Sequence, residues 1–330
     1  MASNSFGTMF RITTFGESHG PALGVVIDGC PAGIPLKEAD FTPDLNRRRP
    51  GQSAVTTARD EADAPIILSG VFEGKTTGMP ICVIVQNKAQ RSEDYDKLRT
   101  VLRPGHADGT FQEKFGHRDH RGGGRQSGRE TVARVIAGVV ARKVLPKSMK
   151  IIGHTVKVGP HEAKVFKPET IEQNPMRCAD PAAAKKMEAY VLKLKSEYNS
   201  SGGLIEIRVI KPPKSLGDPV FAKLKARLAD AVMSIGAVHG FSYGAGFKTA
   251  EMKGLDYIAD KNVFGGILGG ISTGEDIVLH VSVKPSTSVG EIAKKGRHDP
   301  CIVPRVIPVV EAMVSLVLAD CYLLQRAYEA

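Results

Sequence analysis

The chain has 330 residues, 42% of them hydrophobic and 24% charged, which reads as ordinary globular material and not as a disordered chain, and allows one large domain or two of average size. Five widely spaced cysteines without a CxxC pair argue against a zinc ribbon or a dithiol redox site, and suit reduced thiols in a cytoplasmic setting. A net charge of +10 leaves three kinds of partner: nucleic acid, an anionic membrane surface, or small acidic ligands.

The opening MASNSFGTMFRITTFG lacks the basic-then-apolar pattern of a secretory signal, although a plastid transit peptide removed upstream would leave the same sequence. The first hundred residues alternate short β-branched runs (Val25 to Asp28, Ile66 to Leu68, Ile81 to Val85) with turns such as DGCPAG and TTGMP, and so predict strands and loops. Within them GESHG (Gly16 to Gly20) sets Ser18 and His19 on a glycine turn, and RRRPG concentrates Arg47, Arg48 and Arg49 before a break. Such an arginine run is usually a solvated patch; beside an anion site it becomes a clamp for phosphate or carboxylate. GVFEGKT has the look of a phosphate-binding P-loop, but GxxxxGK[ST] needs glycine where Ser69 stands, and the run leads into a strand, so a turn between two strands is the better reading.

RPGHAD (Arg103 to Asp108) places His106 beside a Pro-Gly turn. Histidines on such turns titrate near neutrality, so His19 and His106 are candidate proton donors. His117 and His120 have a metal-compatible spacing, but Arg118 and Arg121 oppose a cation, and no metal site is expected. GGGRQSGRET follows. Gly122 to Gly124 and Arg125 precede Ser127, whose S-x-x-E spacing to Glu130 predicts a capping box opening a helix over 127–145, with an anion site at its N-terminus. From Arg103 to Lys150 eleven lysines and arginines face four acids, so much of the positive charge lies in this one stretch. Its arginines sit among glycines, aromatics are only 6% and tryptophan is absent, which argues for a small anion over a nucleic acid.

Further helices are predicted at about 181–198, 219–235 and 306–327, the last apolar around most of its circumference and so buried within the subunit or at a subunit contact. Strands are predicted at Leu204 to Ile210 and Ile277 to Val283. KPSTS (Lys284 to Ser288) and KGRHDPC (Lys295 to Cys301) combine lysine, hydroxyls, Arg297 and Asp299, a second place for phosphate. GGRQSGRETVARVI and GRHDPCIVPRVI are each a Gly-Arg loop before a Val-rich helix, a hint of internal duplication. No linker breaks the chain, which is read as a single domain over 1–330.

GESHG with DGCPAG, RRRPG, SGVFEGKTTGMPI, RPGHAD, GGGRQSGRET, GGILGGIS and KGRHDPC occur in the order found in the chorismate synthases, and from about Gly7 to Ala319 the chain resembles that family. The resemblance implies an α+β fold, a β-α-β sandwich with a helical core, in a homotetramer that binds neither nucleic acid nor membrane. It implies a lyase of aromatic amino-acid biosynthesis, at the last step of the shikimate pathway: 1,4-anti elimination of phosphate from 5-enolpyruvylshikimate 3-phosphate. The reaction requires reduced FMN without net redox change. By the same resemblance His106 protonates the departing phosphate, His19 acts at the flavin, and Ser18, Ser127 and Asp299 support proton relay, Asp299 on the side that receives the substrate hydrogen. Flavin contacts fall on Arg125, Gln126, Ser127, Gly236, Ala237, Gly269, Lys284, Pro285, Ser286, Thr287, Ser288 and Arg297, and substrate contacts on Arg48, Arg103 and Arg129. The chain is shorter than the family pattern at 254–265 and at 288–290. Ala54 stands where many relatives have arginine, which weakens any expectation that NADPH regenerates the flavin here. The alternatives are a P-loop-like phosphotransferase using Lys75 and a basic RNA-binding protein.

Overall fold

The computed structural model describes residues 4–53, 55–56, 63–87, 102, 105–121, 123–294 and 299–329. The first sheet is antiparallel and takes β1 (Ser5–Phe6), β2 (Arg11–Phe15), β3 (Ala22–Asp28), β4 (Pro65–Ser69) and β7 (Ile81–Gln86) in the order β1-β2-β3-β7-β4. Alternation sets its inner face: in β2 only Ile12 and Thr14 are buried, and in β7 Ile81, Val83 and Val85. Between β4 and β7 the run VFEGKT folds into the hairpin β5 (Val71–Phe72) and β6 (Lys75–Thr76), turning through Glu73 and Gly74, both at positive φ. No helix follows Lys75, so the P-loop requirement fails structurally as it does in sequence.

This half also holds α1 (Thr42–Arg48), between β3 and β4, and α2 (Asp108–Phe115), which precedes the long α3 (Thr131–Val144). The segment predicted as one helix from Ser127 begins instead as a 3-10 turn, Gly128–Glu130, which Ser127 caps by accepting from the Arg129 amide at 3.3 Å. Glu130 does not close the expected box on Ser127. Its carboxylate is taken by Arg134 one turn on, at 2.9 Å, an i,i+4 ion pair that competes with the cap.

The second sheet takes β8 (Lys150–Val158), β9 (His161–Glu162), β10 (Gly203–Ile210), β11 (Val238–Tyr243) and β14 (Ile277–Val283), all antiparallel, in the order β11-β14-β10-β8-β9. Ile205, Ile207, Val209, Ile277, Leu279 and Val281 point into the core. On the opposite face the register lines up His154, Glu206 and His280 across three strands. Burial raises the Glu206 carboxyl, but hydrogen bonds from His154, His280 and Arg208 outweigh it and hold the group well below the usual range. Around this sheet lie α4 (Pro181–Ser196), capped by Asp180, α5 (Leu224–Met233), which starts five residues later than predicted, and α6 (Gly254–Ala259). The two-residue strands β12 (Ile267–Leu268) and β13 (Ile271–Ser272), the short α7 (Glu291–Lys294) and the 26-residue α8 (Val303–Tyr328) complete the chain.

The fold is therefore α+β. Helices α3 and α8 pack on each other; α3 lies against β2, β3 and β7, and α8 against β8, β10 and α5. Although α8 is long and apolar enough to cross a membrane by length and composition, 89% of its most apolar window is buried inside the molecule. At its far end Asp320, fully buried, accepts from the amides of Thr8, Met9 and Phe10 and pairs with Arg227, tying the N-terminal segment to the core.

The two central helices touch at Gly138 and Ala312, where a Cβ added to Gly138 would stand 2.4 Å from the Ala312 Cβ and 2.6 Å from its Cα. Alanine is intrinsically the better helix former by about 1 kcal/mol. Overpacking a tight contact costs about 1–3 kcal/mol, so the clash decides the sign. Gly138→Ala is expected to lower the urea midpoint followed by circular dichroism; an unchanged or higher midpoint refutes the contact.

Candidate active site

The start of α3, the start of α8 and three loops meet around one hydrogen-bonded network. The glycine turn at 16–20 comes first. Ser18 and His19 are buried, with Ser18 Oγ 3.1 Å from His19 Nδ1 and also donating to the Arg121 carbonyl at 3.3 Å. Asn87, just past β7, donates to the carbonyls of Glu17 at 3.1 Å and Gly20 at 2.8 Å, which fixes the turn. Its Oδ1 accepts from Arg129 Nε at 3.1 Å, and so connects the turn to the helix start.

Arg129 is 9% exposed and Arg48 only 3%, and buried guanidiniums need compensating charge. Asp63 supplies it. Its side chain is 1% exposed and lies 2.5 Å from Arg129 Nη1 and 3.4 Å from Arg48 Nη2. Arg48 Nη1 donates to the Gly128 carbonyl at 3.5 Å, beside the Ser127 cap. Arg305, in the first turn of α8, donates from Nε to the Arg48 carbonyl at 3.2 Å and pairs with Asp299. A continuous path thus joins Ser18, His19, Arg129, Ser127, Arg48 and Asp299. The RRRPG run divides its labour, since Arg47 pairs instead with Glu311 of α8 at 2.5 Å and Glu172 at 2.8 Å and is structural.

Arg125 reaches back to the same turn, donating from Nη2 to Thr14 Oγ1 at 2.6 Å and from Nη1 to the Gly16 carbonyl at 3.4 Å. Gly124 sits at φ +53, where a side chain would be strained, and a Cβ there would push the Glu17 carboxylate aside from 2.5 Å. Gln126 closes the 3-10 turn that carries Arg125.

A second group gathers at the end of β14. His106 is exposed, and its Nε2 shares a hydrogen bond of 3.1 Å with Thr287 Oγ1. Lys284 Nζ donates to the Gly105 carbonyl at 3.4 Å, and the Lys284 amide donates to Ala237 at 2.9 Å. Ser286 accepts from Ser200 Oγ at 2.6 Å, with Pro285 and Ser288 on either side. Ala237 is held at φ +74, and a Cβ on Gly236 would meet nothing within 4 Å, leaving open backbone beside a lysine and three hydroxyls. The two groups are joined twice: Arg134 of α3 donates to Ser234 Oγ at 2.6 Å, just before Gly236, and the Ser201 amide donates to the Pro300 carbonyl, next to Asp299, at 2.9 Å.

Gly269 is not brought to either group. It lies in the β12–β13 turn, where its carbonyl accepts from Lys223 Nζ at 3.3 Å. Arg103, Arg297 and Ala54 lie outside the described residues. No cluster of three or more histidine, cysteine or acidic side chains that could hold a metal occurs among the described residues. Sequence reading missed Asp63, Asn87 and Arg305. Arg305 had a signal, a lone charge at the head of an apolar helix; Asp63 sits in the acidic run DEAD without any local mark.

Burial lifts the Glu17 carboxyl above its ordinary 4.5; Arg125 opposes the rise and Asp119 adds to it. A carboxyl raised on folding lends its full stability only below the unfolded value and loses it as pH rises through the folded one. Glu17→Gln is therefore expected to melt higher than the parent at pH 7 and to converge with it below about pH 4. Thermal midpoints across that range check this; a constant offset sinks it.

Comparison with known proteins converges on one family. Residues 10–323 match the chorismate synthase family model. A chorismate synthase of Methanosarcina mazei is 51% identical over 97% of this chain and 96% of its own length, and one from Bdellovibrio bacteriovorus is 50% identical over 98% of each. A crystal structure of chorismate synthase superposes with a TM-score of 0.79 at 30% identity, covering 97% of this chain and 93% of the other.

Proposed function

The chain belongs to the chorismate synthase family of lyases, and from that premise we propose that it eliminates phosphate from 5-enolpyruvylshikimate 3-phosphate in the 1,4-anti sense to give chorismate, the closing step of the shikimate pathway. The observation that carries this reading is the single network joining His19, Ser18, Ser127, Arg129, Arg48 and Asp299 at the two helix starts. A substrate with a phosphate and carboxylates needs paired, desolvated guanidiniums, and Arg48 and Arg129 are that pair.

The cofactor on this reading is reduced FMN. The residues fit it: Lys284, Ser286, Thr287 and Ser288 offer an ammonium and hydroxyls for a phosphate and a polyol, and open backbone at Gly236 allows a flat ring to approach. Gln126 and Arg125, in the turn before α3, are assigned to the same cofactor. Bound reduced FMN supplies electron density to the breaking allylic C–O bond and returns unchanged. His106, hydrogen-bonded to Thr287, is the proton donor to the departing phosphate, whose charge would otherwise build up as the bond breaks. Arg48 and Arg129 hold the anionic groups still, and Arg103 is assigned to the same task. His19, oriented through Nδ1 by Ser18, is the second proton-handling group. Ser127 and Asp299 complete the relay, with Asp299 kept in place by Arg305. Arg297 belongs with the cofactor contacts, and Gly269 would join them only from another subunit.

We further assign the chain to the cytoplasm as a homotetramer of single-domain subunits. Each half has a five-stranded antiparallel sheet covered by one long helix preceded in sequence by a Gly-Arg pair, which supports a β-α-β sandwich arisen by duplication. The hairpin at Lys75 removes the main support for a phosphotransferase.

The test supplies 5-enolpyruvylshikimate 3-phosphate with photoreduced FMN under anaerobic conditions and measures phosphate release. Turnover dependent on reduced FMN is expected, and release with ATP instead, or none, rejects the reading. In the same assay His106→Ala is expected to lower turnover by about 10²-fold, the usual contribution of general acid catalysis. Near-parental turnover would remove His106 from that role.

A further inference from the structure

The two guanidiniums assigned to the substrate do not face each other alone. Asp63 lies between them, 2.5 Å from Arg129 Nη1 and 3.4 Å from Arg48 Nη2, with its side chain 1% exposed. A carboxylate so placed has two opposite effects on an anion site. It restrains both cations: Arg129 donates to Asp63 from Nη1 and to Asn87 from Nε, which orients its plane, and Arg48 lies in ion-pair range of Asp63 while donating to the Gly128 carbonyl. It also neutralises one of the two positive charges that would attract an incoming anion.

Buried like charges at close range repel strongly, and water cannot screen them. Removing the Asp63 charge leaves that repulsion less offset and the two guanidiniums less restrained. With it they stand aligned before the substrate arrives, and the phosphate meets a site whose orientation is already set. The carboxylate comes from just before β4, outside the two helices that carry Arg48 and Arg129.

We propose that Asp63 is a positioning residue for phosphate elimination, an internal counter-anion that aligns Arg48 and Arg129 at the cost of weaker binding of substrate and phosphate. The inference rests on the substrate role of those two arginines given above. It predicts an unusual split. Asp63→Asn keeps shape and removes charge, so kcat is expected to fall about 10²-fold, the effect of a misplaced reacting group. The KM for 5-enolpyruvylshikimate 3-phosphate stays the same or falls, and product inhibition by inorganic phosphate tightens about tenfold as the local field becomes more positive. A purely structural role would instead lower the melting temperature and the active fraction while leaving KM and phosphate inhibition where they were.

A kcat within about twofold of the parent, or weaker phosphate inhibition with a raised KM, overturns the inference. Arg129→Ala is the control. If it leaves KM unchanged, the substrate role of the arginines fails and Asp63 falls with it; if it raises KM while Asp63→Asn behaves like the parent, only the role of Asp63 falls. Should Asp63→Asn not fold, Asp63→Glu carries the test, since it keeps the charge and moves the carboxylate by one methylene. Its kcat is expected to drop about tenfold with the melting temperature preserved, and an unchanged kcat overturns the proposal.

Discussion

The contact of α3 and α8 at Gly138 and Ala312 fixes where everything else can stand. Each helix begins at the site: Ser127 and Arg129 lead into α3, and Asp299 and Arg305 lead into α8. The spacing of the two helices therefore sets the spacing of the cap, the guanidiniums and the carboxylate. Sheets on either side of the pair leave it no room to slide, because α3 is held by the first and α8 by the second. A close-packed interior transmits position in this way with little slack.

Charge is the second constraint. The chain carries a formal excess of ten positive charges, yet its buried and half-buried arginines have acidic partners: Arg48 and Arg129 share Asp63, Arg177 pairs with Glu172, Arg47 with Glu311 and Glu172, and Arg227 with Asp320. Glu311 does double duty, since it also accepts from the Gly153 amide at 2.7 Å and so bonds α8 to the second sheet. Three of these sets hold the scaffold, while Arg48 and Arg129 share one carboxylate and so keep a net positive charge between them.

Much of this was legible in the residues. The strands at 25–28, 66–68, 81–85, 204–210 and 277–283 and the helices near 181, 219 and 306 are present, because period-two and helical patterning report directly on burial. The helix at 127 was displaced by four residues, because Arg134 captured the Glu130 carboxylate that a capping box requires. Glycine turns marked His19 and His106 as candidates, and the structure sets each beside a hydroxyl, Ser18 and Thr287. Asp63, Asn87 and Arg305 stayed hidden for the opposite reason: each acts on a partner more than forty residues away, and a counter-ion or an orienting amide leaves no periodic trace.

The knot between Asp320 and the amides of Thr8, Met9 and Phe10 joins residues more than three hundred positions apart. Closing so wide a loop is slow, and on a ribosome it must wait until the last helix has been made. Until then the edge of the first sheet lacks its anchor and the apolar flank awaiting α8 stays wet. Assembly of this subunit is in that sense post-translational, and the network at the two helix starts is among the last features to appear.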